Sequence, residues 1–230
     1  MTTRDQYIIN TTLTDKHLTY CEVGEQVMKF DVDMLIQAII NSNEDFKRQF
    51  EDAHKYPAAL LKNIPLKNLS GAVGECFGQQ VAIIAQTIKK NPHEAGAPDF
   101  LPVVPSAQPW FDNPTQKYYS FGGFDTKSSF SNERKFVGVA ASSHHDQTRT
   151  VLVVQWSYDS NGVPEIIGVF YTNELVPSDW RLSVGKPGSK TTNAATLTAT
   201  GKDKLRKGWV VLHKSVTLPK RNNIKEQYGF

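Results

Sequence analysis

Apolar positions in the first ninety residues recur at helical spacing, and this part of the chain reads as helical throughout. Met34, Leu35, Ala38 and Ile39 fall on one face of a helix that starts after Asp31 and Asp33, whose carboxylates suit the positive end of a helix dipole. Ser42 followed by Asp45 resembles a capping box, so Phe46, Phe50 and Ala53 are read as the stripe of a second helix. Pro57 and Pro65 punctuate, and a third helix is predicted over residues 71–90 with Ser70 as its N-cap. Val73, Phe77, Val81, Ile84 and Ile88 line its buried face, while Lys89 and Lys90 suit its C-terminal end.

After Asn91 and Pro92 the pattern changes to short apolar runs. Residues 98–104, 117–127, 136–141, 151–158 and 165–171 read as strands between clusters of Pro, Gly, Asn and Ser. Residues 159–162 read as the hairpin turn joining the last two, and a final strand is predicted over 208–213. These elements predict an α/β chain, α+β in character: a mixed sheet flanked by N-terminal helices. One domain is expected over residues 1–230, with a helical part (1–70), a core (71–175) and a basic part (176–230).

Composition narrows the class. With 230 residues, 39% hydrophobic and 21% charged, the chain can bury a sizeable core, which excludes a wholly disordered or collagen-like protein. No apolar run approaches the ~18–20 residues of a membrane span. The opening residues lack the basic and apolar pattern of a secretory leader. Two cysteines, Cys21 and Cys76, lie far apart without metal-type spacing, which suits a reducing cytoplasm and excludes a disulfide scaffold. The formal charge is only +3, yet residues 181–230 hold eleven Lys/Arg and two acids, so they carry +9 and the rest of the chain carries −6. A basic segment on an otherwise acidic protein is the footprint of a chain that meets a polyanion. There Lys alternates with Thr, Asn and Ser, which donate hydrogen bonds to phosphates or base edges. A solvated surface loop is the competing reading.

The segment with the most chemistry is residues 121–129, FGGFDTKSS. Residues i and i+2 of a strand share a face, so Asp125 and Lys127 project together. A carboxylate and an ammonium on a mostly apolar strand are costly to bury without a partner or a task. Upstream stand Pro98 and Asp99 at the start of a short apolar strand, and Glu75 in the third helix.

Glu75, Pro98-Asp99 and Asp125-Thr126-Lys127 together resemble the PD-(D/E)XK nuclease superfamily, the core of most type II restriction endonucleases. The resemblance covers residues 70–130. Spacings of 24 residues from Glu75 to Asp99 and 26 from Asp99 to Asp125 suit its helix–strand–strand core. It implies a Mg²⁺-dependent hydrolase of phosphodiester bonds. Asp99 and Asp125 would be metal ligands, with the Thr126 carbonyl as a third and Glu75 completing a second metal site or holding a metal-bound water. Lys127 would contact the scissile phosphate and the attacking water. Double-stranded DNA is then the expected partner, read chiefly by residues 180–208, with Lys186, Lys190, Asn193, Lys202, Lys204, Arg206 and Lys207 as candidates. A homodimer would match a palindromic site, and a cognate DNA methyltransferase would protect the host. The rivals are a repair or recombination nuclease of the same superfamily and a non-catalytic DNA-binding protein whose acids are structural. Each residue also has a plainer reading: Asp125 and Lys127 as a surface pair, Asp99 as a turn cap, Glu75 on a solvated face with Gln79 and Gln86.

His144, His145 and Asp146 form a second polar cluster, read as a turn with a phosphate-contacting His, since no further Cys or His lies at metal spacing. No GxGxxG, Walker A loop or GxSxG elbow is present. Trp156, Tyr158, Phe170 and Tyr171 are read as core and cross-strand residues.

Overall fold

The computed structural model describes residues 2–13, 18–23, 26–51, 63–93, 96–113, 122–142, 150–182, 195–218 and 227–230. The architecture is mixed α/β. In chain order the strands are β1 (Tyr7–Ile9), β2 (Thr19–Val23), β3 (Gln26–Lys29), β4 (Ile88–Lys90), β5 (Phe100–Pro102), β6 (Asp125–Phe130), β7 (Ala141–Ser142), β8 (Val151–Tyr158), β9 (Pro164–Thr172), β10 (Trp180–Leu182), β11 (Ala195–Leu197) and β12 (Trp209–His213). Four α-helices are among the described residues: α1 (Val32–Glu51), α2 (Leu66–Ala85), α3 (Gln108–Asp112) and α4 (Ala199–Lys207).

The central sheet has five strands in the order β1-β12-β9-β8-β6. Only β6 and β8 run parallel, Asp125 standing opposite Val151 and Lys127 opposite Val153. β8 and β9 form the hairpin expected from the Asp159–Gly162 turn, where Asp159 accepts from the backbone N–H groups of Asn161 and Val163. A β4–β5 hairpin meets β6 through one antiparallel bridge, Phe100 to Phe124. On one face of the sheet, α1 and α2 bury Leu35, Ile39, Val73, Phe77 and Val81 against Leu152, Val154 and Trp156. On the other face, Val151, Val153 and Phe170 pack with Leu197, Leu205 and Trp209 from β11, α4 and β12. Among the described residues no helix is long and apolar enough to cross a membrane.

Several expectations are corrected. The first ninety residues are not helical throughout: β1 to β3 precede α1, and β1 completes the main sheet by pairing with β12. Ser42 does not cap a second helix. It lies buried within a single α1, and its hydroxyl donates to the Ala38 carbonyl, 2.7 Å away, so it needs no helix end. Likewise α2 begins at Leu66, and Ser70 sits inside it. That helix stops at Ala85 because Gln86 adopts the left-handed conformation (φ 56°) as its C-cap. Ile88, Lys89 and Lys90 therefore form strand β4 and do not extend the helix. Residues 136–140 are not strand, and only Ala141–Ser142 pairs there, with β11. Helix α4 was not anticipated, because its Lys/Thr/Gly-rich sequence carries little apolar pattern. Thr198 caps it, its hydroxyl accepting from the Gly201 N–H.

Candidate active site

Among the described residues, strand β6 lies at the edge of the central sheet. Its Thr126 and Ser128 side face α2, where Gly74 and Gly78 let the helix come close: a Cβ on Gly78 would lie 2.5 Å from the Phe100 ring and 3.0 Å from Thr126 Cγ2. The Ser128 hydroxyl donates to the Ser70 carbonyl at 2.6 Å, and Trp156 Nε1 donates to the Ser70 hydroxyl at 3.1 Å. With that side committed to packing, alternation turns Asp125 and Lys127 to the opposite face, the one covered by β10, β11 and α4. Asp125, Lys127 and the described elements β10, β11 and α4 of the basic part thus share one face of the sheet.

Asp99 reaches the same place from the β4–β5 hairpin. The Asn91 side chain donates to the Pro98 carbonyl (2.9 Å) and its backbone N–H donates to the Asp99 carbonyl (2.8 Å). Trp110 Nε1 in turn donates to Asn91 Oδ1 at 2.9 Å. The Asp99 backbone N–H donates to Asp125 Oδ1 (3.0 Å), tying the two aspartates together. Because the Asp125 N–H donates to Thr150 on the β8 side, Thr126 presents its own N–H and C=O to the sheet edge. That N–H donates to Asp99 Oδ2 at 2.9 Å, and the Thr126 hydroxyl adds a contact at 3.3 Å.

Lys127 closes the cluster. Its Nζ lies 3.2 Å from Asp99 Oδ2, 3.4 Å from Asp125 Oδ2 and 3.1 Å from the Thr126 carbonyl oxygen. Asp125 is fully buried, Lys127 is 19% exposed and Asp99 is 34% exposed, so the cluster opens on the Asp99 side. Burial pushes the Asp99 carboxyl above the ordinary aspartate range, with Asp125 adding to the rise and Lys127 opposing it. For Lys127, burial works against the charge, but Asp125 and Asp99 outweigh it and hold the ammonium above its ordinary value. The arrangement is a half-buried anionic pair gripping one cation with hard oxygen atoms.

Glu75 stands apart. On α2 it forms an ion pair with Lys90 and accepts from Gln79 at 3.2 Å. Burial alone would raise its carboxyl, yet Lys90 and Gln79 bring it below the ordinary glutamate value. Among the described residues no group of three or more His, Cys, Asp or Glu is placed to hold a metal. The structure therefore brings together Asp99, Asp125, Thr126 and Lys127 and leaves Glu75 out.

The basic candidates divide. Lys186, Lys190 and Asn193, like His144, His145 and Asp146, lie outside the described residues. Lys204 is bound inward, 2.7 Å from the buried Asp179 and donating to the Glu174 carbonyl. Arg206 Nε donates to the Val137 carbonyl at 3.0 Å. Lys202 is half-buried on α4 and Lys207 is exposed at its end. Lys207 lines a cavity of about 420 Å³ with Thr172, Asn173 and Gly208. Thr172 faces Val151, which faces Asp125, so that cavity and the aspartates sit at the same end of the sheet, two strands apart.

Sequence reasoning missed Asn91 and Trp110, which hold the Asp99 turn, because a hydrogen bond across a hairpin leaves no periodic trace. The signal for close helix packing was present in Gly74 and Gly78, one turn apart on α2. No protein-family model, no curated protein and no solved structure matches this chain.

Proposed function

We propose that the chain is a Mg²⁺-dependent endonuclease of the type II restriction class, hydrolysing phosphodiester bonds of double-stranded DNA at a short specific sequence. The observation that carries this reading is the convergence of Asp99 Oδ2, Asp125 Oδ2 and the Thr126 carbonyl on one cationic atom, Lys127 Nζ, within 3.4 Å. On this reading α2, β5, β6 and β8 form a restriction-endonuclease-like core, since helix, Asp99 strand and Asp125/Lys127 strand follow in the order the resemblance implies. The donor set fits Mg²⁺, which takes hard oxygen ligands, keeps several waters and needs only one or two carboxylates. Asp99, Asp125 and the Thr126 carbonyl would hold the ion, which when bound supplies charge neutralisation at the phosphodiester and a more acidic water. Lys127 supplies a cation for the phosphate. Glu75, held by Lys90, is not needed for this set.

DNA would lie along the sheet end shared by the aspartates and Lys207, with the basic part of the chain reading bases. A palindromic target calls for a homodimer, and the host for a matching methyltransferase. The test is digestion of plasmid and phage DNA by the purified protein with Mg²⁺ or with EDTA, beside Asp125→Asn and Lys127→Ala. Discrete fragments that need Mg²⁺ and vanish in both variants are expected. A Mg²⁺-dependent smear, or cutting of branched DNA alone, would transfer the site to repair. Binding without cleavage, unchanged in the variants, would leave a DNA-binding protein.

A further inference from the structure

We propose that Lys127 is an exchangeable occupant of the cation seat. Its ammonium holds Asp99, Asp125 and the Thr126 carbonyl together when no metal is bound, and it leaves them when a divalent cation enters. This rests on the nuclease reading of the same site and adds how that site is governed. The geometry is specific: the three oxygens that would ligate the metal are the three within 3.1–3.4 Å of Lys127 Nζ. A divalent cation drawing on those oxygens cannot share the position with an ammonium of like sign, least of all beside a fully buried Asp125 where water screens little. Two ionised carboxylates balance one divalent cation, so the ammonium becomes surplus charge once the cation is in place.

The route out is also present. Lys127 lies on the edge strand β6, the cluster opens on the Asp99 side, and a four-carbon stem re-aims without moving the backbone. Once released, the ammonium has three donors with no carboxylate committed to them, the form able to pair with a phosphodiester. Lys127 thus serves first as the counter-ion that keeps the aspartates folded in, and then as a phosphate contact. Cation entry and arming of the lysine are one event.

The test uses the wild-type protein. Amine acetylation is followed at each lysine by mass spectrometry without cation, with Mg²⁺, and with Ca²⁺ as a second hard cation, while calorimetry reports cation binding. Lys127 is expected to react several times more slowly than Lys207 without cation and to become at least about threefold more reactive at saturation, Lys207 being unchanged. In Lys127→Met, Mn²⁺ should bind tighter by about tenfold, the scale of removing one neighbouring like charge. If that variant does not fold, the labelling of wild type decides alone. Cation binding with Lys127 still protected would overturn the exchange and leave the nuclease reading standing. If calorimetry finds no cation binding to wild type, the exchange and the metal-dependent reading fall together.

Discussion

Asp99 and Lys127 set the behaviour of the site at the scale of single groups. The Asp99 carboxyl is held above its ordinary value, chiefly by burial, so ionising it costs folding free energy. Its contribution is fully present below the unfolded value of about 3.9 and is lost as pH rises through the raised folded value. Asp99→Asn, which stays neutral, should therefore gain on wild type as pH rises: the difference in Tm between variant and wild type should be more positive at pH 7.5 than at pH 3.5. On the proposed nuclease reading, cleavage should be lost in the same variant. Lys127→Met has the opposite effect on stability. It takes the neighbouring cation from the fully buried Asp125, which keeps the Asp99 N–H, and a loss of about 3 kcal/mol is expected in urea unfolding without cation, the low end for breaking a buried pair. Equal stability of Lys127→Met and wild type would show that the ammonium is not holding the aspartates. The residue types were legible from sequence, because i, i+2 alternation on a strand places Asp125 and Lys127 together. Their meeting with Asp99 was expected only from the family resemblance, because no local pattern carries it: it depends on a hairpin closed by Asn91.

Helix α2 and strand β6 show how an element positions the site. Gly78 is the point of closest approach, and Gly78→Ala would drive a methyl into the Phe100 ring, next in sequence to Asp99. A loss of about 1–3 kcal/mol is expected from overpacking, with cleavage impaired because β5 moves. Gly71, two turns earlier on α2, has open space where a methyl would go, with nothing within 4 Å. Gly71→Ala should stabilise by about 0.5–1 kcal/mol, the helix-propensity gain, with cleavage unchanged. Urea melts of the two variants separate packing from propensity. The strands β8, β9 and β12 were visible as apolar runs bounded by turn residues. The start of α1 at Asp31 was visible too, but two other helix ends were not, since Ser42 and Ser70 look like caps until their hydroxyls are seen bonding inside the helix or to a neighbouring tryptophan.

For the whole molecule, charge distribution and sheet faces decide where the polyanion of the proposed function would lie. The +9 of the last fifty residues is spread over side chains with different duties. Lys204→Ala should destabilise by about 1–3 kcal/mol, because it leaves the buried Asp179 short of its cation. Lys207→Ala should leave Tm unchanged and, if the proposed function holds, weaken DNA binding for all sequences alike, with a shallower salt dependence. Fluorescence anisotropy across a salt series, beside thermal melts, distinguishes the two. By itself the sequence determined the apolar strands, the Asp159–Gly162 turn, the shared face of Asp125 and Lys127, and the asymmetry of charge. All of these are local or additive properties: periodicity, turn chemistry and a count of charges. Tertiary structure alone decided how Asp99 reaches Asp125, that Glu75 turns away to Lys90, and that Lys204 faces inward while Lys207 faces out. Those outcomes depend on distances between segments far apart in the chain. Such distances are set by the packing of α2 on β6 through Gly78 and by the β4–β5 hairpin, whose contacts no local pattern encodes.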